Sequence, residues 1–266
     1  MNSFGFYEPT SVGKAVGIAA DRPDGKYLAG GQSLLAAMKL RLTAPSDLID
    51  LANMPELGKI ELDSKANALV IGAMARHSEV AGSAEVGARI RALASLAAAI
   101  GDRQVRNRGT LGGSIANNDP AADYPAGVLG LGATIVTDRR KIAADDYFKG
   151  LFQTALEPGE LITSVVFPVP KKAAYMKFRN PASRFAVVGV FVAQMGSGVR
   201  VAVTGAGAAG VFRVKAMEDA LAKNWSADAV KSIAVPPAHL ASDIHASAEY
   251  RSHLITVMAQ RAVASA

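Results

Sequence analysis

The chain has 266 residues, 50% hydrophobic and 20% charged, with a net charge of +6 and no cysteine. That balance suits one large or two modest soluble globular domains, and the missing cysteine excludes a disulfide scaffold and any thiolate-held iron–sulfur cluster on this chain. No apolar run approaches the roughly 18 residues of a membrane helix, the start lacks a signal-peptide pattern, and the basic residues are dispersed. A cytoplasmic protein with no membrane span and no nucleic-acid partner is therefore expected.

Phe4–Tyr7 reads as a short strand, and Pro9-Thr10 opens a helix over Ser11–Ala20 with Thr10 as its cap. After a polar turn at Asp21–Gly25, Lys26–Ala29 is a strand that runs into Ala29-Gly30-Gly31-Gln32-Ser33-Leu34 and a helix over Leu34–Leu40. Asp47–Leu51, Ile60–Asp63 and Ala68–Ala73 are predicted strands. Ala84–Ile100 is predicted as one alanine-rich helix with Ile90, Leu93, Leu96, Ala97 and Ile100 on its apolar face. Arg103, Arg106 and Arg108 form the tightest basic cluster, just ahead of Thr110–Asp123, which has neither helical nor strand periodicity and reads as an ordered loop. A helix over Pro125–Leu131 and strands over Ala133–Thr137 and Leu161–Phe167 follow.

Pro168, Pro170 and Lys171-Lys172 mark a change of character, which sets a domain boundary there. Beyond it, Ala174–Arg179, Phe185–Met195 and Val199–Thr204 read as strands and Lys215–Lys223 as a helix. The closing helix, Ala246–Ala264, is amphipathic, with Tyr250, Leu254, Val257, Met258 and Val263 facing inward. Short strands and helices in mixed order fit an α+β architecture better than a doubly wound sheet.

Two stretches share one chemistry. Leu28–Leu34 and Thr110–Ser114 each place paired glycines beside a hydroxyl residue, so the backbone can take positive φ and a ligand can approach main-chain N–H groups without meeting a Cβ. Hydroxyls there bind phosphate oxygens without adding charge. A lone Gly-Gly-Ser segment is more often an ordinary tight turn; two of them suggest one ligand with two phosphates, one of which sits at a helix N-terminus. The arginine cluster then supplies either favourable potential for a pyrophosphate or a solvated subunit-contact face.

The four histidines, His77, His239, His245 and His253, are scattered, so no metal site is expected and each is placed at the surface or a helix end. No Ser-His-Asp set, carboxylate pair or P-loop is present. Gly205–Gly210 spells GxGxxG after an apolar strand, with Asp228 near the spacing of a ribose-binding acid. The chain after it reads as mostly helical, with Val211–Val214 the only further strand-like run, so a parallel sheet has nothing to build from and a close-packed turn is the competing reading.

The segments AGGQSLLAAMKLRL (Ala29–Leu42) and TLGGSIANNDPAADYPA (Thr110–Ala126) resemble the signature of the FAD-binding medium subunit of molybdenum hydroxylases, the family of carbon monoxide dehydrogenase and of the xanthine dehydrogenase flavin domain. The likeness extends to the end of the chain, where Ser247–Arg251 leads into a long helix; Ser114 departs from the asparagine of many members. The resemblance implies an FAD-binding α+β domain of the vanillyl-alcohol oxidase/para-cresol methylhydroxylase type at residues 1–170 and a smaller α+β domain at 171–266. It implies that Ala29, Gly30, Gly31, Gln32, Ser33 and Leu34, with Thr110, Leu111, Gly112, Gly113 and Ser114, wrap the FAD pyrophosphate. It also places Ile100, Asp123, Leu161 and Lys177 against the cofactor, with Tyr175 either covering a ring face or in the core. The implied partners are a large molybdopterin subunit and a small subunit with two iron–sulfur clusters, assembled as a dimer of heterotrimers, with electrons passing to NAD, a quinone or dioxygen. The competing readings are an NAD-dependent dehydrogenase built on Gly205–Gly210 and a cofactor-free scaffold of the same fold.

Overall fold

The structure is a computed structural model that describes residues 1–266. It opens with β1 (Gly5–Tyr7), α1 (Val12–Asp21), β2 (Lys26–Leu28), α2 (Leu34–Lys39) and β3 (Asp47–Asp50), whose strands form a parallel sheet in the order β1-β3-β2. Ser11 rather than Thr10 caps α1, accepting from the Lys14 N–H, while Thr10 accepts from Lys14 Nζ. Ala15, Ile49, Leu51, Met54, Leu57 and Leu161 make a small core against this unit.

β4 (Ile60–Asp63) and β5 (Ala68–Gly72) follow, and then a run of short helices: α3 (His77–Gly82), α4 (Ala84–Arg89), α5 (Arg91–Ala98), α6 (Arg103–Arg106), α7 (Leu111–Asn117) and α8 (Tyr124–Gly130). The single helix expected over 84–100 is two helices. Ile90 breaks it at φ −137°, ψ 67° and is buried at the break, three residues after Gly87 weakens the helix. Next come β6 (Thr134–Thr137), β7 (Lys141–Ala143), α9 (Ala144–Tyr147), the hairpin β8 (Phe148–Gly150) and β9 (Gln153–Thr154), and β10 (Ile162–Pro168). These strands, the hairpin apart, give an antiparallel sheet ordered β4-β5-β10-β6-β7.

The last part pairs β11 (Lys172–Arg179), β12 (Ala186–Met195), β13 (Gly198–Thr204) and β14 (Phe212–Arg213) antiparallel in that order, followed by α10 (Lys215–Lys223), α11 (Ala227–Val230) and α12 (Ala248–Ser265). β12 is buried along nearly its whole length because both its faces are covered. Phe191 and Ala193 enter the large core with α5 and α8, and the alternate Val188, Val190 and Val192 enter the core under α10 and α12. Helix α8 is buried at every position; at Gly130 an added Cβ would lie 2.7 Å from the Phe191 ring, so the glycine sets the close approach of helix and sheet. The architecture is α+β. Along α12, Leu254, Met258 and Val263 are buried and Val257 is half-buried, but Tyr250 is exposed at the rim, edge-on to Phe178. No helix is long and apolar enough to cross a membrane.

Candidate functional site

The two glycine segments lie against each other. A Cβ on Gly30 would sit 2.0 Å from the Arg108 carbonyl oxygen, and one on Gly113 would sit 3.6 Å from the Ala29 Cβ. Gly31 takes φ +71°, which only glycine adopts without strain. The N–H groups of Gly30, Gly31, Gln32 and Ser33 make no hydrogen bond within the chain, and Ser33, at the start of α2, makes no side-chain cap bond. These four consecutive main-chain donors, on half-buried Gly30 and Gly31 and exposed Gln32 and Ser33, stand around a positive-φ glycine without protein partners, an arrangement that can take an anion from the solvent side.

The second segment is not a loop. Leu111–Asn117 is α7, capped by Thr110, whose Oγ1 accepts from the Gly113 N–H at 3.1 Å. The Leu111, Gly112 and Ser114 N–H groups donate to Ala75, Ala73 and Thr110 carbonyls at 3.0, 2.8 and 3.0 Å. Its helical period is invisible in the sequence because Gly112 and Gly113 carry no side chains. Gly112 serves packing: a Cβ there would be 2.6 Å from the Ala73 Cβ. The free main-chain donors therefore sit on the first segment, and the second contributes glycine surface and the half-buried Ser114 hydroxyl. Asn118 closes α7 at φ +44° and its amide donates to Gly150 and Gln153 carbonyls, both at 2.8 Å.

Asp123, Tyr175 and Lys177 meet in the interior. Lys177 Nζ lies 2.9 Å from the Asp123 carboxylate and 3.1 Å from the Ala99 carbonyl oxygen, and the Tyr175 hydroxyl donates to the same carboxylate. Burial pushes the Asp123 carboxyl up, opposed by Lys177 and Tyr175, and burial beside Asp123 raises the Tyr175 phenol. Tyr175 reaches this position only because residue 189 is glycine, where a Cβ would stand 2.3 Å from its hydroxyl. The turn after α5 gathers further cations: Arg106 Nη1 donates to the Ile100 and Gly101 carbonyls at 2.9 and 3.1 Å, and Arg184 Nη1 to Gly101 at 3.3 Å. Half-buried Ile100 thus lies in a segment whose three successive carbonyls are all met by positive side chains.

Leu161 is buried in the small core, against which Ala29 also packs. Its N–H donates to Asp138 Oδ1 at 2.7 Å and its carbonyl accepts from the Asp138 N–H at 2.9 Å. The preceding Glu160 is held by Arg140, Thr137 and the Glu157 N–H, and the Arg140 hydrogen bond draws its carboxyl down to about 2.

Two elements escaped sequence reasoning. His77 is buried rather than superficial, although it does stand at a helix end as the first residue of α3. Its N–H donates to the Gly109 carbonyl at 2.9 Å, its ring stands 5.3 Å from that of Tyr124, and burial, aided by Arg106, lowers its pKa to about 4. The other is the hairpin turn that carries Arg184; no sequence pattern marks its approach to Gly101.

Gly205–Gly210 has structural duties. A Cβ on Gly205 would be 2.4 Å from the Ala186 carbonyl oxygen and one on Gly207 2.2 Å from that of Gly210; Arg251 binds the Gly205 carbonyl at 2.7 Å. The motif leads into β14 of an antiparallel sheet, not into the helix of a parallel dinucleotide-binding unit, which overturns the nicotinamide reading of this motif.

With this geometry in hand, comparison with known proteins is specific. The profile of the FAD binding domain in molybdopterin dehydrogenase matches residues 2–170. The chain is 34% identical over 279 residues to the carbon monoxide dehydrogenase medium chain of Hydrogenophaga pseudoflava, covering 99% of this chain and 96% of that one. It is 35% identical over 277 residues to the nicotine 6-hydroxylase medium subunit of Paenarthrobacter nicotinovorans, covering 98% and 96%. Among solved structures, quinoline 2-oxidoreductase from Pseudomonas putida 86 superposes with a TM-score of 0.89 at 30% identity, over 100% of this chain and 97% of the other.

Proposed function

The chain belongs to the family that carries the FAD binding domain of molybdopterin dehydrogenases, and from that premise we propose that the Gly30–Ser33 cradle holds the FAD pyrophosphate. The protein is the FAD-carrying subunit of a molybdenum hydroxylase-type oxidoreductase. It takes electrons from the iron–sulfur clusters of a small partner subunit, fed by a large molybdopterin subunit, and passes them to an external acceptor. The absence of cysteine requires that those clusters sit on another chain. The relatives' names include carbon monoxide, nicotine and quinoline chemistry, so the substrate is set by the large subunit.

The observation that carries the site assignment is the row of four unpartnered N–H groups on Gly30, Gly31, Gln32 and Ser33. FAD bound there would supply reversible two-electron chemistry. The chain's own residues do the rest. The cradle binds the two phosphates through main-chain dipoles, with Ala29 and Leu34 closing its ends and Thr110–Ser114 forming the facing wall. Lys177, with one N–H left after Asp123 and Ala99, offers a cation to the negative charge that builds on a reduced flavin. Asp123 and Tyr175 hold Lys177 in place, and Ile100 and Leu161 line the site with apolar surface. In this reading residues 1–170 bind the cofactor and residues 171–266 reach back to it through β11.

A scaffold that had lost its cofactor would have no use for the free cradle. Titration of FAD into the cofactor-stripped protein tests the assignment: Gly31→Val, which forces a β-branched residue to φ +71°, is expected to weaken FAD at least about tenfold. Unchanged affinity would remove the first segment from the site.

A further inference from the structure

The chain leaves α2 through a left-handed turn. The Leu42 N–H donates to the Ala37 carbonyl at 2.9 Å and the Arg41 N–H to that of Met38 at 3.1 Å, which sets Arg41 at φ +59°. Glycine is the ordinary residue at such a position, because a Cβ is costly there. The residue after it commonly packs back on the last helical turn; here that residue is Leu42, and the side chains it would meet are the single methyls of Ala36 and Ala37. Leu42 is instead 76% exposed and Leu40 71%. Two leucines therefore stand in water on either side of a strained arginine. Phe4 and Phe6, both exposed, flank Gly5, whose N–H donates to the Ser46 carbonyl at the end of the same segment.

Positive charge frames the leucines. Lys39 ends α2 and Arg41 follows it; neither has a carboxylate partner, although Arg22, Arg89 and Arg139 do, and no acidic residue occurs between Asp24 and Asp47. Such a surface fits a partner that offers an apolar socket in a field of negative potential. Of the two partner subunits, the small one holds the iron–sulfur clusters, and a two-iron cluster bound by four thiolates is a net anion in either redox state. The location agrees. Helix α2 runs only six residues, about 9 Å, from the Gly30–Ser33 cradle to this turn, so a chain seated on it lies against the flavin-binding half, where an electron donor has to be. We propose that Leu40, Arg41 and Leu42 are the knob on which the small iron–sulfur subunit docks, with the leucines in its apolar socket and Lys39 and Arg41 facing its negative rim. The inference rests on the reading above in which that subunit feeds the flavin. It also accounts for the left-handed arginine, since glycine would make the same turn with less strain but without the charge.

The test is the affinity of the full chain for the purified, cluster-loaded small subunit by biolayer interferometry, with the large subunit in a parallel channel and with thermal midpoint and self-association measured alongside. A Leu40→Ser/Leu42→Ser double variant should keep the wild-type midpoint, since both side chains are in water, and bind the small subunit at least about tenfold more weakly. Arg41→Gly should raise the midpoint by relieving the left-handed strain, yet weaken small-subunit binding at least about threefold and flatten its dependence on salt. Opposite signs for stability and binding set a docking residue apart from one that only shapes the turn. Unchanged small-subunit affinity in both variants overturns the proposal. So does a double variant that loses only the large subunit, or only a self-association that the wild type shows, because a different chain then covers the turn. A wild-type chain that does not bind the loaded small subunit overturns the partner reading and this proposal with it.

Discussion

Lys177 Nζ and the Asp123 carboxylate form an ion pair at 2.9 Å with side chains only 6% and 4% exposed, joining β11 to the start of α8. The Tyr175 hydroxyl donates to the same carboxylate and the Ala99 carbonyl accepts from the same ammonium, which leaves one Lys177 N–H without a protein partner. A pair so buried is fragile to the loss of one member, because the survivor keeps its charge without a partner. Lys177→Met is therefore expected to destabilise the protein by about 3–5 kcal/mol. The Asp123→Asn/Lys177→Met double variant should lose less than the two single changes summed, in urea unfolding followed by circular dichroism.

Gly189 and Tyr175 should behave as one unit. Gly189→Ala puts a methyl where the Tyr175 hydroxyl lies, so its effect should match that of Tyr175→Phe, about 1–3 kcal/mol in each case, with little further loss on combining them. Additive losses in the double variant would separate the two residues.

The pH dependence follows from His77. Its folded pKa of about 4 lies below the ordinary value of 6.5, so the native state favours neutral imidazole while the unfolded chain takes up a proton as pH falls. Stability is thus complete above pH 6.5 and falls between pH 6.5 and 4 by about 3 kcal/mol at most, from the size of the shift. Because His77 holds Gly109, flavin release should track this loss. A His77→Gln variant whose thermal midpoint between pH 7 and 4.5 falls as steeply as the wild type's would contradict the assignment.

Much of this was readable in the chain, and the failures have physical causes. Strands such as Val199–Thr204 and the helix Lys215–Lys223 carry clear period-two or helical patterns and stand where expected. α7 was hidden because two of its first three residues are glycines, so its helical face leaves no side-chain pattern; its helicity comes from the Thr110 cap and from packing on Ala73. The break at Ile90 is a tertiary choice that an alanine-rich run does not announce. The glycine segments were legible as a candidate anion site, but that the free donors sit on Gly30–Ser33 while those of α7 are internally bonded depends on contacts with Ala73 and Ala75. The Ala99–Gly101 turn depends on long-range contacts from Lys177 and Arg184 and leaves no local signature.

The gap between the glycine segments is a steric test. Gly113→Leu places a side chain toward Ala29 and the Thr110 hydroxyl, where a Cβ alone would be 2.8 Å from Oγ1. The variant should fold, with a loss of about 1–3 kcal/mol from overpacking, and purify without flavin. Full flavin content at wild-type stability would show that the cofactor does not pass between the two segments.

The visible absorption spectrum of the purified chain expressed alone, with the released cofactor identified by mass, tests the flavin assignment most directly. A flavin spectrum with one FAD per chain is the predicted result. A colourless protein that stays so after incubation with FAD, while folded by circular dichroism, would contradict the assignment of the Gly30–Ser33 cradle and the function built on it.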